Sequence, residues 1–257
     1  MRVAHEIIPN AEHMQTRTVK LIGHLPSGSS TVRESLVSNS KCRRIFFLSP
    51  ANVSGLRGKM ILGELAHSPL AERLRGEGVP LGEVFTFISG LYFRGKLAYA
   101  QAFADPPPGV PGIVVITASG GLVSPDRPFK LEKLRQIVAG NVDAANSRYR
   151  LPLERDARLV CDRMGGHCEV VLLGSVATPK YVEPLLAIFG ERLMFPAEFV
   201  GRGDMSRGGL LLRCAREQAQ LTYIPVMGAV RHGTRPAKLP KLTGSARARK
   251  QAGSLAS

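Results

Sequence analysis

Short apolar runs, each cut off by a breaker and separated by stretches of helical spacing, constrain this chain more than any other feature. Arg44-Ile45-Phe46-Phe47-Leu48-Ser49 is rich in aromatic and branched residues and is halted by Pro50, so it reads as a buried strand. Ile113-Val114-Val115-Ile116-Thr117 follows the breakers Pro107, Pro108, Gly109, Pro111 and Gly112 and reads the same way. A third strand is Val170-Val171-Leu172-Leu173, ended by Gly174; Leu193-Met194-Phe195 and Leu221-Thr222-Tyr223-Ile224 are shorter candidates. Helical patterns lie between them. Leu91 to Ala104 carries Leu91, Leu97, Ala98, Ala100 and Ala102, with Phe93 off that face. Leu131, Leu134 and Val138 repeat at helical spacing, as do Leu153, Ala157 and Val160. Tyr181, Leu185, Leu186 and Phe189 form another stripe, stopped by Gly190. Strands alternating with helices predict an α/β sheet with helices on its faces.

The ends of the chain differ from its middle. Residues 1 to 40 are polar, lack periodicity and include Pro26-Ser27-Gly28-Ser29-Ser30, which predicts a poorly ordered leader. Residues 231 to 257 hold seven Lys or Arg and no Asp or Glu, with Pro236, Pro240 and Gly244 among them, which predicts a flexible basic tail. The folded domain is then expected over 41 to 230. The formal net charge is +15, most of it at the two ends. A basic end attracts polyanions, nucleic acid foremost, unless it is simply a solvated tail.

Other features exclude whole classes. Cys42, Cys161, Cys168 and Cys214 form no C-x-x-C pair, so the spacing predicts reduced thiols and no metal site. Residues 1 to 30 lack an apolar signal core, and no apolar run approaches the roughly 20 residues that span a bilayer. A cytoplasmic protein with no membrane partner is the expectation. There is no G-x-x-x-x-G-K-[ST] and no G-x-G-x-x-G after a strand, hence no nucleotide-cofactor motif. No G-x-S-x-G elbow and no H-E-x-x-H occur, and no cofactor is expected.

Three strand ends remain as candidates, because ligands in open α/β sheets bind beyond the carboxyl ends of strands. Ser49-Pro50-Ala51-Asn52 follows the first strand, with Arg57 and Lys59 behind it. Thr117 to Asp126 follows the second. Gly174-Ser175-Val176-Ala177-Thr178 follows the third, before a helix whose first N–H groups would face an anion; Ser175 and Thr178 are its anion candidates. Each is equally compatible with an ordinary strand-to-helix turn. Two basic clusters lie in the domain itself. Leu91-Tyr92-Phe93-Arg94-Gly95-Lys96 interleaves aromatics with bases. Gly201-Arg202-Gly203-Asp204-Met205-Ser206-Arg207 is Gly-rich with two arginines, suited to an anion or to a plain turn in which Arg202 and Asp204 pair.

These segments, in this order, resemble the YaaA family of peroxide-stress, DNA-binding proteins. The family's "ISPAK" turn is similar to Leu48-Ser49-Pro50-Ala51-Asn52, with Asn52 where the family has lysine. Ser89 to Lys96 resembles "GdvYrGL", and Ala118 to Asp126 with Pro128-Phe129-Lys130-Leu131-Glu132 resembles "LSGLYGvlrPlD…PYRLE", with Gly120-Gly121 at the tyrosine. Leu173 to Tyr181 is similar to "NLAS-EY", and Gly201 to Arg207 to "aRGlMsRf", with Phe199 and Val200 in place of a lysine pair. The resemblance covers about residues 44 to 212. It implies a single compact α/β domain with a mixed sheet flanked by helices and a basic cleft. It also implies DNA binding, DNA more than RNA, and protection from oxidative damage. By that resemblance Arg94, Lys96, Lys130, Arg202 and Arg207 would contact phosphate, and Tyr92 or Tyr181 would stack on a base.

Two other readings stand beside it. One is an enzyme acting on a nucleobase, nucleoside or modified nucleotide, with Ser49, Asn52, Ser119 and Asp126 as its polar groups and Asp126 as its carboxylate base. The other is an interaction module with no chemistry of its own.

Overall fold

In the computed structural model, which describes residues 42–237, the sheet is built from the runs that read as strands. β1 (Arg43–Leu48), β3 (Ile113–Ile116), β6 (Cys168–Leu173) and β7 (Leu193–Pro196) are its parallel members. β4 (Leu122–Val123) and β8 (Tyr223–Pro225) pair antiparallel at the two edges. The order is β4-β3-β1-β6-β7-β8. The central strand β1 is apolar from Ile45 to Leu48 with every one of those residues buried, as a strand covered on both faces must be. Its outer end is held by Arg44, whose Nη2 lies 2.9 Å from Glu169 on β6.

Four helices intervene between β1 and β3: α1 (Leu56–Leu62), α2 (Pro69–Arg75), α3 (Leu81–Ser89) and α4 (Leu91–Phe103). A separate two-stranded ribbon, β2 (Val79–Pro80) with β5 (Pro128–Phe129), ties this region to the segment after β4. α5 (Leu131–Val138) and α6 (Ser147–Met164) lead to β6, α7 (Pro179–Phe189) to β7, and α8 (Asp204–Glu217) precedes β8. The chain is thus a single α/β domain with a mixed sheet flanked by helices. No described helix is long and apolar enough to cross a membrane.

Two sequence readings need correction. The inner face of α4 is carried by Tyr92, Phe93, Lys96, Tyr99, Ala100 and Phe103, all buried, so Phe93 is on the face, and of the expected aliphatic stripe Ala100 alone is fully buried. The aromatics recur at helical spacing and bury far more apolar area than alanines do. The second correction concerns Gly201–Arg207. Asp204 opens the 14-residue α8, and its ion pair is with Arg207 at 3.8 Å, not with Arg202.

α4 and α8 cross at glycines. A Cβ on Gly95 would lie 2.6 Å from the carbonyl oxygen of Gly208, and one on Gly208 would lie 2.8 Å from the Leu91 carbonyl oxygen. Only hydrogen fits at this crossing, which brings the two backbones into contact. The expected leader lies outside the described residues, as does most of the expected tail. Residues 231–237 are described and lack regular structure; the Thr234 carbonyl packs on Gly201, where a Cβ would meet it at 2.1 Å.

Candidate functional site

The chain leaves β1 for β3 on one side of the sheet and later adds β7 on the other side of β6. The point where the two directions part lies between β1 and β6, the place where open α/β sheets form their ligand crevice. A cleft of about 540 Å³ opens there. Its walls come from the segment after β1 (Ser49 to Ser54), from Ala118 after β3, from Ser175 after β6, and from Lys180 and Tyr181 on α7. Phe85 and Ser89 on α3, Tyr92 on α4, Val138 at the end of α5, the loop residues Gly140, Asn141 and Val142, and Asp204 on α8 close it. Such a volume falls within the roughly 300–1,000 Å³ of small-molecule sites.

Each wall is fixed locally. Asn52 Oδ1 accepts from Ser54 N at 3.1 Å and from Ser54 Oγ at 2.7 Å, an Asx turn that shapes the exit from β1. After β3, Thr117 Oγ1 donates to the Gly121 carbonyl at 3.0 Å and accepts from Gly120 N at 2.9 Å. The buried Asp156 of α6 then accepts from Leu122 N at 3.0 Å and packs where any Gly121 side chain would go. That accounts for the Gly120-Gly121 pair in the sequence. Tyr149 of α6 donates to the Lys180 carbonyl at 2.8 Å and so holds the first turn of α7.

The floor is unusual. Lys96, 1% exposed, reaches from α4 beneath β1. Its Nζ donates to the Ser49 carbonyl oxygen at 2.5 Å and lies 2.8 Å from Ser49 Oγ. Its pKa is lowered to about 7, chiefly by burial, with Asp204 opposing the shift and Arg207 adding to it. Tyr92 and Phe93 present ring faces to the amine at 4.5 Å and 5.0 Å. Gly174, at the end of β6, is pressed so close that a Cβ there would sit 2.9 Å from Ser49 Cβ. The Tyr181 hydroxyl lies beside Ser49, and burial raises its pKa. Tyr92, whose pKa burial raises to about 12, has a buried hydroxyl with no hydrogen-bond partner of normal geometry, although the Arg207 guanidinium is near it. A buried, unpartnered hydroxyl in a cleft wall is a group that a ligand can satisfy.

Of the residues singled out from sequence, Ser49, Asn52, Tyr92, Ser175 and Tyr181 line this cleft, and Lys96 underlies it. The others do not. Arg94 and Lys130 are exposed elsewhere, Lys130 beside Arg75 and Arg135. Asp126 is exposed in a turn in which its own N–H bonds Ser124 Oγ at 3.2 Å. Thr178 caps the start of α7 by position only and is exposed, with no side-chain hydrogen bond to the helix. Ser119 donates to the Gln136 carbonyl at 2.7 Å. Arg202 bonds Ser206 Oγ at 3.2 Å.

Arg207 is buried and holds the Phe199 carbonyl through Nε at 3.3 Å and Nη2 at 3.0 Å, so its guanidinium braces the chain before α8 rather than facing a phosphate. Lys96 is likewise taken up inside the protein. The cleft therefore differs from the basic one that the resemblance implies: among the described residues lining it, Lys180 is the one cation and Asp204 the one anion. Sequence reading gave no place in the site to Lys180 or Asp156, and took Asp204 only as a partner for Arg202. The aromatic stripe of α4, with Lys96 on it, was the available signal for a buried amine. Among the described residues no cluster suits a metal ion.

No protein-family model matches the chain, and no curated protein or solved structure matches it either.

Proposed function

We propose that the protein is an enzyme acting on a nucleobase, nucleoside or modified nucleotide held in the cleft between β1 and β6. The observation that carries this reading is Lys96. A wholly buried amine costs stability, groups so perturbed cluster at functional sites, and this one is aimed at the side chain of Ser49, in the wall of the cleft. The lining suits a flat ligand with hydrogen-bonding edges. Phe85, Tyr92 and Tyr181 offer aromatic surface, Asn52, Ser54 and Asn141 offer donors and acceptors, and Lys180 offers one charge for an anionic group.

Calorimetric titration of a panel of nucleobases, nucleosides and mononucleotides tests it, with thermal denaturation alongside. A true ligand at 100 times its Kd stabilises the fold by about 2.7 kcal/mol, a shift of several degrees for a domain of this size. Ser175→Phe, which fills the cleft, is expected to abolish that shift. A panel that gives neither heat nor shift retires the reading.

The charge of the chain favours a second reading, DNA binding of the kind the YaaA resemblance implies, with protection from oxidative damage as its role. The net charge is +15, and Arg94 and Lys130 are exposed outside the cleft. Binding of this kind weakens steeply with salt because condensed counterions are released. The two readings are compatible if the cleft receives one unit of a longer strand.

A further inference from the structure

We propose that Ser49 is a nucleophile and Lys96 its general base, so that the reaction in the cleft is an acyl transfer through an ester on the Ser49 oxygen. The proposal deepens the enzyme reading and takes its choice of substrate, a nucleoside-like molecule bearing an acyl group, from that reading. The chemistry of the pair stands on its own geometry.

A neutral amine has two N–H groups and one lone pair. As the ammonium, Lys96 donates to both oxygens of Ser49, the carbonyl at 2.5 Å and Oγ at 2.8 Å; as the neutral amine it keeps one N–H on the carbonyl, which fixes the side chain, and turns its lone pair to the hydroxyl proton. This is the arrangement a serine needs to be activated by an adjacent base. The base is available near neutral pH because burial holds its pKa at about 7. Once it takes the proton, the ammonium faces the rings of Tyr92 and Phe93 at 4.5 Å and 5.0 Å, which stabilise the charge that forms. The titratable and charged groups around the pair are Asp204 and Arg207 from α8, Tyr92 from α4 and Tyr181 from α7. Among the described residues no carboxylate makes an ion pair with Lys96, so none locks it in the charged state.

The steps balance. The Ser49 proton moves to Lys96 as the Oγ–C bond forms on the acyl carbon. The leaving group departs with that proton as its own bond to the acyl carbon breaks. Water then gives up a proton to Lys96 as its oxygen bonds the acyl carbon; the Oγ–C bond breaks, the acid leaves, and the proton returns from Lys96 to Ser49 Oγ. Phosphoryl transfer fits less well. It is catalysed by clamps of several cations, and among the described residues the cleft wall offers only Lys180.

The test uses an alkyl fluorophosphonate on the full chain, read by intact mass and by peptide mapping. Labelling forms an Oγ–P bond, breaks P–F and passes the serine proton to Lys96. The expected result is one label, on Ser49, at a rate that rises with pH about a midpoint near 7. Ser49→Ala is expected to take no label, and Lys96→Met to label at least about 100-fold more slowly with no such midpoint. Should Lys96→Met fail to fold, the pH profile of the native chain decides. No label on Ser49, equal labelling of Ser49→Ala, or a rate independent of pH from 5 to 9 overturns the proposal. Labelling without nucleoside binding supports the pair and retires only the nucleoside reading; nucleoside binding without labelling retires the pair alone.

Discussion

A lysine with its amine wholly inside a protein leaves a mark on stability that does not depend on any substrate. In the unfolded chain Lys96 titrates at the ordinary value of 10.5, and in the fold at about 7. Between those values the unfolded state binds more protons, so stability rises with pH across that window, and the cost of burial is fully present below it. Lys96→Met removes the effect. The free energy of unfolding of the native chain, relative to that variant, is expected to climb by about 1 kcal/mol per pH unit above neutrality. Urea titrations at several pH values measure it; parallel profiles for the two proteins would mean that the amine is not buried as described. The helical spacing of Tyr92, Phe93, Lys96, Tyr99 and Phe103 lies in the sequence, but the aliphatic residues of the same helix drew the reading away from it and set Phe93 off the buried face. The contact of Lys96 with Ser49 was not visible there, because the two are 47 residues apart and only the fold of β1 against α4 joins them.

At the scale of elements, the crossing of α4 and α8 sets where the site's groups can be. Tyr92 and Lys96 flank Gly95 on one helix, and Asp204 and Arg207 precede Gly208 on the other. Gly95→Ala brings two opposed effects. Alanine favours the helix by about 1 kcal/mol. Its Cβ would also stand 2.6 Å from a backbone oxygen that has no side chain to move aside. Overpacking of that kind costs typically about 1–3 kcal/mol, so the variant is expected to be less stable, with a lower urea midpoint. It is also expected to lose Ser49 labelling in step with the parting of the helices. An unchanged midpoint would contradict the packing. Elements whose own residues dictate them were legible: β1, β3 and β6 from branched and aromatic runs, α7 from its stripe and Gly190. The helices α1, α2 and α3, of seven to nine residues, were not, since so short a stretch shows little periodicity. Nor was the start of α8, where Gly201 and Gly203 mimic a turn just before the helix begins.

For the whole molecule, the separation between a nearly neutral cleft and basic chain ends makes two kinds of binding separable. Removing residues 238–257 takes away Lys238, Lys241, Arg247, Arg249 and Lys250 and no acid. Affinity for a labelled duplex, followed by anisotropy against salt, is expected to fall, its log–log slope shrinking by up to about 0.9 for each phosphate no longer neutralised. Binding of a small uncharged ligand in the cleft is expected to be unchanged. A truncated chain that keeps the full slope would place the polyanion surface on the domain instead. The fold class followed from the alternation of strand and helix in the sequence. The cleft did not, because its walls are drawn from separate stretches of chain and no pairwise spacing announces that they meet.

The sheet ends in strands of two residues on one side and three on the other, the latter closed by Pro225. A second copy approaching edge to edge would find almost no free backbone groups to pair with, and a proline in place of one donor. Growth into fibres by strand addition is denied a template at both borders. Among the described residues, the sheet's buried apolar strands are thus shielded from pairing with a neighbour's edge while the domain stays folded.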